Sequence, residues 1–503
     1  MKLTPSVRVY FWGLWVLLCA GLELSAQGLN DVWLYGRPDM AVTARSVGMA
    51  GANGALAGDY GAVLVNPAAM GGIRKLTLGG TIGLAVNNRS NAYLDRETPS
   101  GTARLPLSDL SIMVPMNASG SWQHALGMGY SQNRNLADQW EYSAYNTKTS
   151  LLYHWADEYN LGTNLDDYGS GLAYDCALIG PINPSNPNST FGTVIPNANI
   201  QQSEIRQSRG RQTEFSFHWA SSFENILSIG ASVGLRGLDY RWKSTYTEND
   251  LRDSIPDFDR FDYYRQLDVS GSGYFFRVGA QAQPLPWLRL GLAYSGRERT
   301  ELSEDDQATM TSKWSNPSET LRSSSPSPDT VAPFVWNYKG SNRTTLSLAM
   351  FWGRNGLISV DYDWMGYGGM GVASAWDEQS LDYEISDWGK ELNQTVRNSL
   401  QVGQQLRMGT EWVQGPSAFR AGYQWSSTPF VDELVERPWN QSRRQFTVGA
   451  GRKVGSMTLD VAAYWTETSA SEQIYPILST EKVPILNSTR TGFGLMCGVY
   501  YRL

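Results

Sequence analysis

From residue 76 onward the chain alternates between apolar and polar or small residues. In residues 76–86, Leu76, Leu78, Ile82, Leu84 and Val86 share one parity, while Thr77, Gly79, Thr81, Gly83 and Ala85 share the other. A strand sends successive side chains to opposite faces, so this segment has one greasy face and one small, polar face. The pattern returns in Phe215/Phe217/Trp219, Leu227/Ile229/Val233/Leu235, Tyr274/Phe276/Val278, Leu288/Leu290/Leu292/Tyr294 and Leu346/Leu348/Met350. It continues through Ile358/Val360/Tyr362/Trp364, Leu406/Met408/Trp412, Phe419/Ala421/Tyr423, Phe446/Val448/Ala450, Met457/Leu459/Val461 and Phe493/Leu495/Val499/Tyr501. With two further strands at residues 110–116 and 122–132, the total is about fourteen.

The connections alternate as well. Short turns at 117–120, 221–225, 283–286, 354–355, 414–416 and 453–455 are interleaved with long polar segments. Those segments cover 88–106, 134–211, 245–266, 297–342, 366–399, 427–441 and 468–489. Short turns at one end and long loops at the other predict an all-β fold: a transmembrane antiparallel β-barrel of about fourteen strands. The short turns would face the periplasm, and an even strand number returns both ends of the barrel to that side.

Charge parity tests this independently. Arg236, Arg277, Arg289, Asp361, Asp363, Arg407, Glu411, Arg420 and Asp460 all lie on the polar parity of their strands. A lipid-facing Arg or Lys at mid-bilayer costs about 2–4 kcal/mol, whereas a lumen charge can be paired or hydrated. The outer face of a soluble sandwich would collect charge too, but it has no use for aromatics at strand ends. Trp122, Trp219, Trp287, Trp352 and Trp412 all fall near the short turns, as an interfacial girdle does. The last residues, Gly498-Val499-Tyr500-Tyr501-Arg502-Leu503, resemble a barrel-assembly signal, with Leu503 where the usual last residue is aromatic. The barrel-assembly machinery and outer-membrane lipid are therefore expected partners.

Composition adds detail. The 503 residues are 18% charged and 12% aromatic, with 50 Gly and 19 Trp, and the mean hydropathy is −0.35. A bundle of membrane helices would be far more apolar, and the net charge of −7 gives no basic footprint for nucleic acid. Residues 1–26 read as an export signal: Lys2 and Arg8, an apolar run over 9–22, then Leu24-Ser25-Ala26 at the cleavage position. Leu18 before Cys19 is too bulky for a lipoprotein signal. The expected division is a signal peptide at 1–26, an N-terminal plug at 27–74 and a barrel at 75–503 in the outer membrane of a Gram-negative cell.

The plug segment does not alternate. It runs through Ala44-Arg45-Ser46-Val47-Gly48-Met49-Ala50, Ala55-Leu56-Ala57-Gly58-Asp59 and Val65-Asn66-Pro67-Ala68-Ala69-Met70. Small residues with a sharp turn at Asn66-Pro67 suit compact packing inside a lumen. The motifs carried by Ser46, Gly48, Asp59, Asn66, Pro67 and Ala68 resemble the N-terminal hatch of the long-chain fatty acid transporter (FadL-type) family, which includes toluene and xylene channels. Residues 287–295 and 406–412, with Phe419-Arg420-Ala421-Gly422-Tyr423 and Pro429, are similar to that family too. The resemblance implies a fourteen-stranded barrel and passive uptake of a hydrophobic small molecule. Ligand would be caught by extracellular loops, pass to a lumen pocket, and leave through a lateral gap, gated by the hatch.

Candidate residues follow. Trp140, Tyr142, Tyr145, Leu152, Tyr153 and Trp155 crowd one long segment, as an outer capture groove or as a lid core. The family's placement of the N-terminus nominates Trp33 and Tyr35 for the lumen pocket. The inward arginines could pair with a carboxylate headgroup, but most of them are expected to pair with the inward acids or anchor the hatch. Pro115, Gly127 and Gly129 are candidates for opening the lateral gap. No cofactor is implied: the three histidines show no metal-ligand spacing, and no catalytic elbow, phosphate loop or dinucleotide fingerprint occurs. His218, on the lumen parity, is the one candidate for a Ser–His pair, so the chain reads as a non-enzyme. The rival reading is a scaffold or binding partner for secretion-system proteins at the outer membrane.

Overall fold

A computed structural model describes residues 28–37, 40–116, 121–162, 164–186, 189–326, 332–353, 355–374, 386–431, 442–475 and 483–503. The export signal at 1–26 and the turns expected at 117–120 and at Arg354 lie outside these residues.

The described residues begin with four short helical pieces: α1 (Leu29–Gly36), α2 (Ala44–Gly48), α3 (Tyr60–Val65) and a 3-10 turn at Pro67–Gly72. Two of the starts carry a side-chain cap. Thr43 caps α2 by accepting from the Ser46 amide at 3.1 Å, and Asn66 caps the 3-10 turn by accepting from the Ala68 amide at 3.1 Å, with Pro67 in the first position. Fourteen strands then close a barrel. They are β1 (Thr77–Tyr93), β2 (Arg96–Arg104 and Leu107–Met116), β3 (Trp122–Asn135 and Asp138–Asn146), β4 (Ile200–Phe223) and β5 (Leu227–Asn249). Next come β6 (Phe258–Leu285), β7 (Leu288–Ser295 and Arg299–Ser315), β8 (Ser318–Ser324, Phe334–Lys339 and Arg343–Trp352) and β9 (Gly356–Gly366). The last five are β10 (Val402–Gln414), β11 (Ser417–Ser426), β12 (Arg443–Val454), β13 (Met457–Gln473) and β14 (Ile485–Arg502). Sequential strands pair antiparallel, and β14 returns to β1 from Thr77↔Arg502 to Tyr93↔Leu486, which removes both free edges.

The exposed apolar parity forms a belt. Ile82 (63% exposed), Leu110, Phe217, Val233, Phe276, Leu292, Met408, Val448, Val461 and Phe493 all point outward. In the opposite parity Asp361, Asp363, Arg407, Glu411, Arg420 and Asp460 are buried in the lumen. Trp122, Trp219, Trp287, Trp352 and Trp412 stand exposed at the short-turn end. Such a surface is stable only against lipid, so the molecule is a transmembrane barrel of the outer-membrane type. Among the described residues no helix is long and apolar enough to cross a membrane.

Several segments expected to be loops are strand. Residues 88–106 form the top of a hairpin from β1 to β2, paired from Ala85↔Arg104 to Tyr93↔Arg96. Residues 245–266 carry β5 and β6 up to Asn249↔Arg260, and 297–342 carry β7 and β8. Much of 468–489 likewise belongs to β13 and β14, whose ladder reaches Gln473↔Ile485. The reason is solvation: above the belt both faces of a strand can be wet, so the ladder continues after the hydrophobic alternation has stopped.

Residues 147–199, between β3 and β4, build a cap over this end. It holds α4 (Leu151–Asn160), α5 (Ser170–Asp175) and a small hairpin of Ile179–Pro181 with Phe191–Thr193. Its core joins Leu152, Trp155, Leu172 and Ile195 to Tyr93 of β1, Tyr246 of β5, Phe258 and Phe261 of β6 and Met310 of β7. Buried Glu248 pins the cap by accepting from Ser150 Oγ, the Leu151 amide, Gln202 Nε2 and Tyr246 Oη, at 2.5–2.9 Å.

Candidate functional site

The hatch sits directly on wall backbone. A Cβ added at Gly422 would lie 2.6 Å from the Ala50 nitrogen, one at Gly409 2.7 Å from the Met49 oxygen, and one at Gly230 2.5 Å from the Pro67 carbonyl carbon. Glycine stands there because main chain of the hatch occupies the space of a side chain. Gly127 and Gly129 make room for hatch side chains: an added Cβ would meet Met70 and Tyr60 respectively.

Charged clamps hold the seat. Arg45 makes a two-pronged bond to Glu411, 3.0 Å on each arm. Arg420 bonds Glu411 and Asp460 at 2.6 Å each. Asp361 accepts the Asn53 and Gly54 amides at 2.9 Å; Arg407 donates to the Gly51 carbonyl and to Asp363, also at 2.9 Å. Arg277 makes a fork on Glu214, 2.7 Å on each arm, and Arg236 reaches Glu214 at 3.5 Å and Glu298 at 3.2 Å. Arg289 is the exception, bonded to Gln283 at 2.8 Å and lying over the Phe351 ring. Two-pronged guanidinium–carboxylate pairs fix direction as well as distance.

The hatch motif residues hold the hatch together and seat it on the wall. Asn66 donates to Gly54 O at 2.9 Å and Ala280 O at 3.1 Å. Asp59 accepts from Thr43 Oγ1 at 2.8 Å; Ser46 accepts from Asn53; Gly48 lies 3.2 Å, measured from an added Cβ, from the Gly449 Cα. Ala68 is fully buried.

Above the hatch lies a cavity of about 200 Å³. Trp33, Arg37 and Met40 approach it from the hatch side, Asn87 and Arg89 from β1, Leu136 from β3, and Arg443, Tyr464 and Arg490 from β12–β14. Trp33 also joins an apolar cluster with Val32, Leu238, Leu267, Leu302, Trp336, Tyr367, Val396 and Phe430, and stands edge-on to Tyr367 with ring centres 5.0 Å apart.

Of the residues nominated from sequence, Trp33 lines this cavity. Tyr35 does not: it is buried behind it, edge-on to Tyr338 and Tyr240 at 6.0 and 6.4 Å. Trp140, Tyr142, Leu152 and Trp155 are buried in the cap core rather than presented as an open groove. Tyr145 bonds the Asn199 carbonyl at 2.7 Å, and Tyr153 accepts the Ala198 amide at 2.7 Å. His218 sits between Ser232 (2.6 Å) and Ser216 (3.0 Å) against the Tyr60 ring and is not among the residues that line this cavity.

The arginines at the cavity escaped the sequence reading. Arg89, Arg443 and Arg490 simply continue the inward parity of Ala85-x-Asn87, Gln445-x-Thr447 and Gly492-x-Gly494 beyond the belt. Carrying the alternation two residues further would have found them.

The wall is unbroken where Pro115, Gly127 and Gly129 suggested a gap. β2 and β3 pair from Asp109↔Ser131 to Met116↔His124, including Pro115↔Ala125. The ladder instead stops above Asp109↔Ser131. Among the described residues, 96–108 of β2 and 132–146 of β3 share no ladder; Ser100 Oγ of β2 reaches the Gln139 carbonyl of β3 at 2.8 Å, and Asn91 of β1 reaches the Glu141 carbonyl of β3 at 2.9 Å. The extra residue Ser108 shifts the register of β2 against β1 there, and Pro106 supplies no amide hydrogen.

No family model matches the sequence, and no curated protein does. Solved structures do. A FadL homologue from Pseudomonas aeruginosa aligns over 93% of this chain and 99% of its own, at 14% identity and a TM-score of 0.53. The toluene transporter TodX of P. putida aligns over 93% and 99%, at 12% identity and 0.50. At such identity the likeness establishes the fold, a hatch-plugged outer-membrane barrel.

Proposed function

We propose that this barrel is a conduit for passive uptake of hydrophobic molecules across the outer membrane, gated at its hatch. The single observation that supports it most is the placement of Trp33: a hatch aromatic that walls a cavity on one side and belongs to an apolar lumen cluster on the other. The fold shared with a FadL homologue and a toluene transporter points the same way. A molecule caught at the cap would move to the cavity along apolar side chains. It would leave through the seam between β2 and β3, where Leu105 (82% exposed) and Leu107 stand at the outer edge of the belt. Partition into lipid drives such a route without an energy source. No step of it requires covalent chemistry, in keeping with a non-enzyme.

The test is saturable binding of a fluorescent fatty acid to the purified barrel, with Trp33→Ala as the informative variant. Truncating a central aromatic anchor commonly costs about 2 kcal/mol, so affinity should fall about thirtyfold. An unchanged affinity would remove Trp33 from the site. Absence of any saturable hydrophobic ligand, together with co-purifying secretion proteins, would favour a scaffold.

A second prediction concerns the exit. Cysteines at Ser100 and Gln139, oxidised to a cross-link across the seam, should abolish uptake while leaving binding intact. Uptake at the uncross-linked rate would place the exit elsewhere.

A further inference from the structure

Every arginine cluster below the cavity is matched by carboxylates. Arg45, Arg236, Arg277, Arg407 and Arg420 face Glu214, Glu298, Asp361, Asp363, Glu411 and Asp460. The cavity is different. Arg134, which donates to the Tyr35 carbonyl, lines it, and so do Arg37, Arg89, Arg443 and Arg490. Among the described residues Asp138 is the only acid paired with any of the latter four, 3.4 Å from Arg89 and 3.7 Å from Arg490. Arg443 donates to the Gln445 amide oxygen at 2.8 Å. Burial, together with Arg490 and Arg89 nearby, draws the Arg37 guanidinium down to about 10. Among the described residues Arg37, Arg89, Arg443 and Arg490 thus share one ion-paired carboxylate around one space.

The height of the cavity is also informative. On β1, β12 and β14 the outward side chains change at its level from Val86, Phe446 and Phe493 to Asn88, Arg444 and Thr491. It therefore lies at the outer edge of the belt. Thr466, Thr468, Ser426 and Ser488 add neutral hydroxyls to the wall, while Trp33, Leu136 and Tyr367 form its apolar side.

We propose that this cavity binds a multiply charged anionic headgroup of the phosphate-monoester kind, carried on an apolar tail. The proposal rests on the uptake reading and narrows its substrate class. A phosphate monoester carries about −1.5 to −2 charges near neutral pH and three acceptor oxygens, which suits several guanidinium forks at once. A monocarboxylate offsets one positive charge, and a neutral hydrocarbon offsets none and leaves the desolvated cations uncompensated.

The experiment titrates the full-length mature barrel, in phosphatidylcholine nanodiscs, with decyl phosphate, decanoate and decanol, followed by calorimetry. Decyl phosphate should bind at least tenfold tighter than decanol, with decanoate between them, and the advantage should shrink as salt rises. The double variant Arg443→Gln/Arg490→Gln should erase the advantage, bringing decyl phosphate to the affinity of decanol. Equal affinities in the unaltered protein, or a preference that survives the double variant, would overturn the proposal while the uptake reading stands. Saturable binding of none of the three would overturn both. Displacement of decyl phosphate by an equal concentration of inorganic phosphate would assign the site to a free anion and remove the tail from the proposal.

Discussion

Replacing Gly422 with leucine should unseat the hatch and turn the plugged barrel into a leaking pore. An added Cβ there lies 2.6 Å from both the Ala50 nitrogen and the Met49 carbonyl carbon, which are backbone atoms that cannot rotate aside. Overpacking a well-packed interior usually costs about 1–3 kcal/mol; leucine adds three carbons beyond that Cβ, so the hatch must move before the wall does. The wall is held by continuous ladders to both neighbours, Gly409 on β10 and Thr447 on β12. The expected readout is single-channel conductance in planar bilayers, with sensitivity of cells to a bulky antibiotic as the cellular counterpart. Ala421→Leu is the control, since Ala421 is one residue away and faces lipid. A Gly422→Leu barrel that folds, as judged by its shift on unheated gels, and yet conducts no more than the control would show that the hatch is not what seals the lumen.

Removal of Glu411 should give the largest loss of stability. It accepts both arms of Arg45 from the hatch and a 2.6 Å bond from Arg420 of the wall. Truncation to alanine strands buried guanidinium groups, and breaking a buried pair from one side typically costs about 3–5 kcal/mol. The double variant Arg45→Met/Glu411→Leu removes charge and partner together and should recover most of that loss, because a buried ion pair is often worth little over an apolar replacement. Urea unfolding from lipid vesicles measures both. Equal destabilisation by the single and double variants would mean that the stranded charge is not the source of the cost.

These two experiments touch parts of the molecule that were unequally legible in the sequence. The strands of the belt could be read one by one, because lipid tests each outward side chain separately and a charge on that parity is expensive. The inward acids and arginines were legible as inward for the same reason. Their partners were not. Arg45 and Glu411 are 366 residues apart, and parity states which face a residue occupies without stating its height or its neighbour across the lumen. The cap aromatics Trp140, Tyr142 and Trp155 illustrate the same limit. Their abundance showed that an apolar cluster existed, and only the packing decided that it is the interior of a lid.

The sequence by itself thus determined the membrane-spanning barrel, its polar-lined lumen and the presence of a small-residue plug. Each of these is enforced locally, by lipid on alternate residues or by the need for small side chains where backbone packs on backbone. Tertiary structure alone decided how the hatch is clamped, that the wall parts above Asp109↔Ser131 rather than at Pro115, and that five arginines from the hatch, β1, β3, β12 and β14 meet around one cavity. Those features depend on barrel closure and strand stagger, which bring together residues that no local pattern relates.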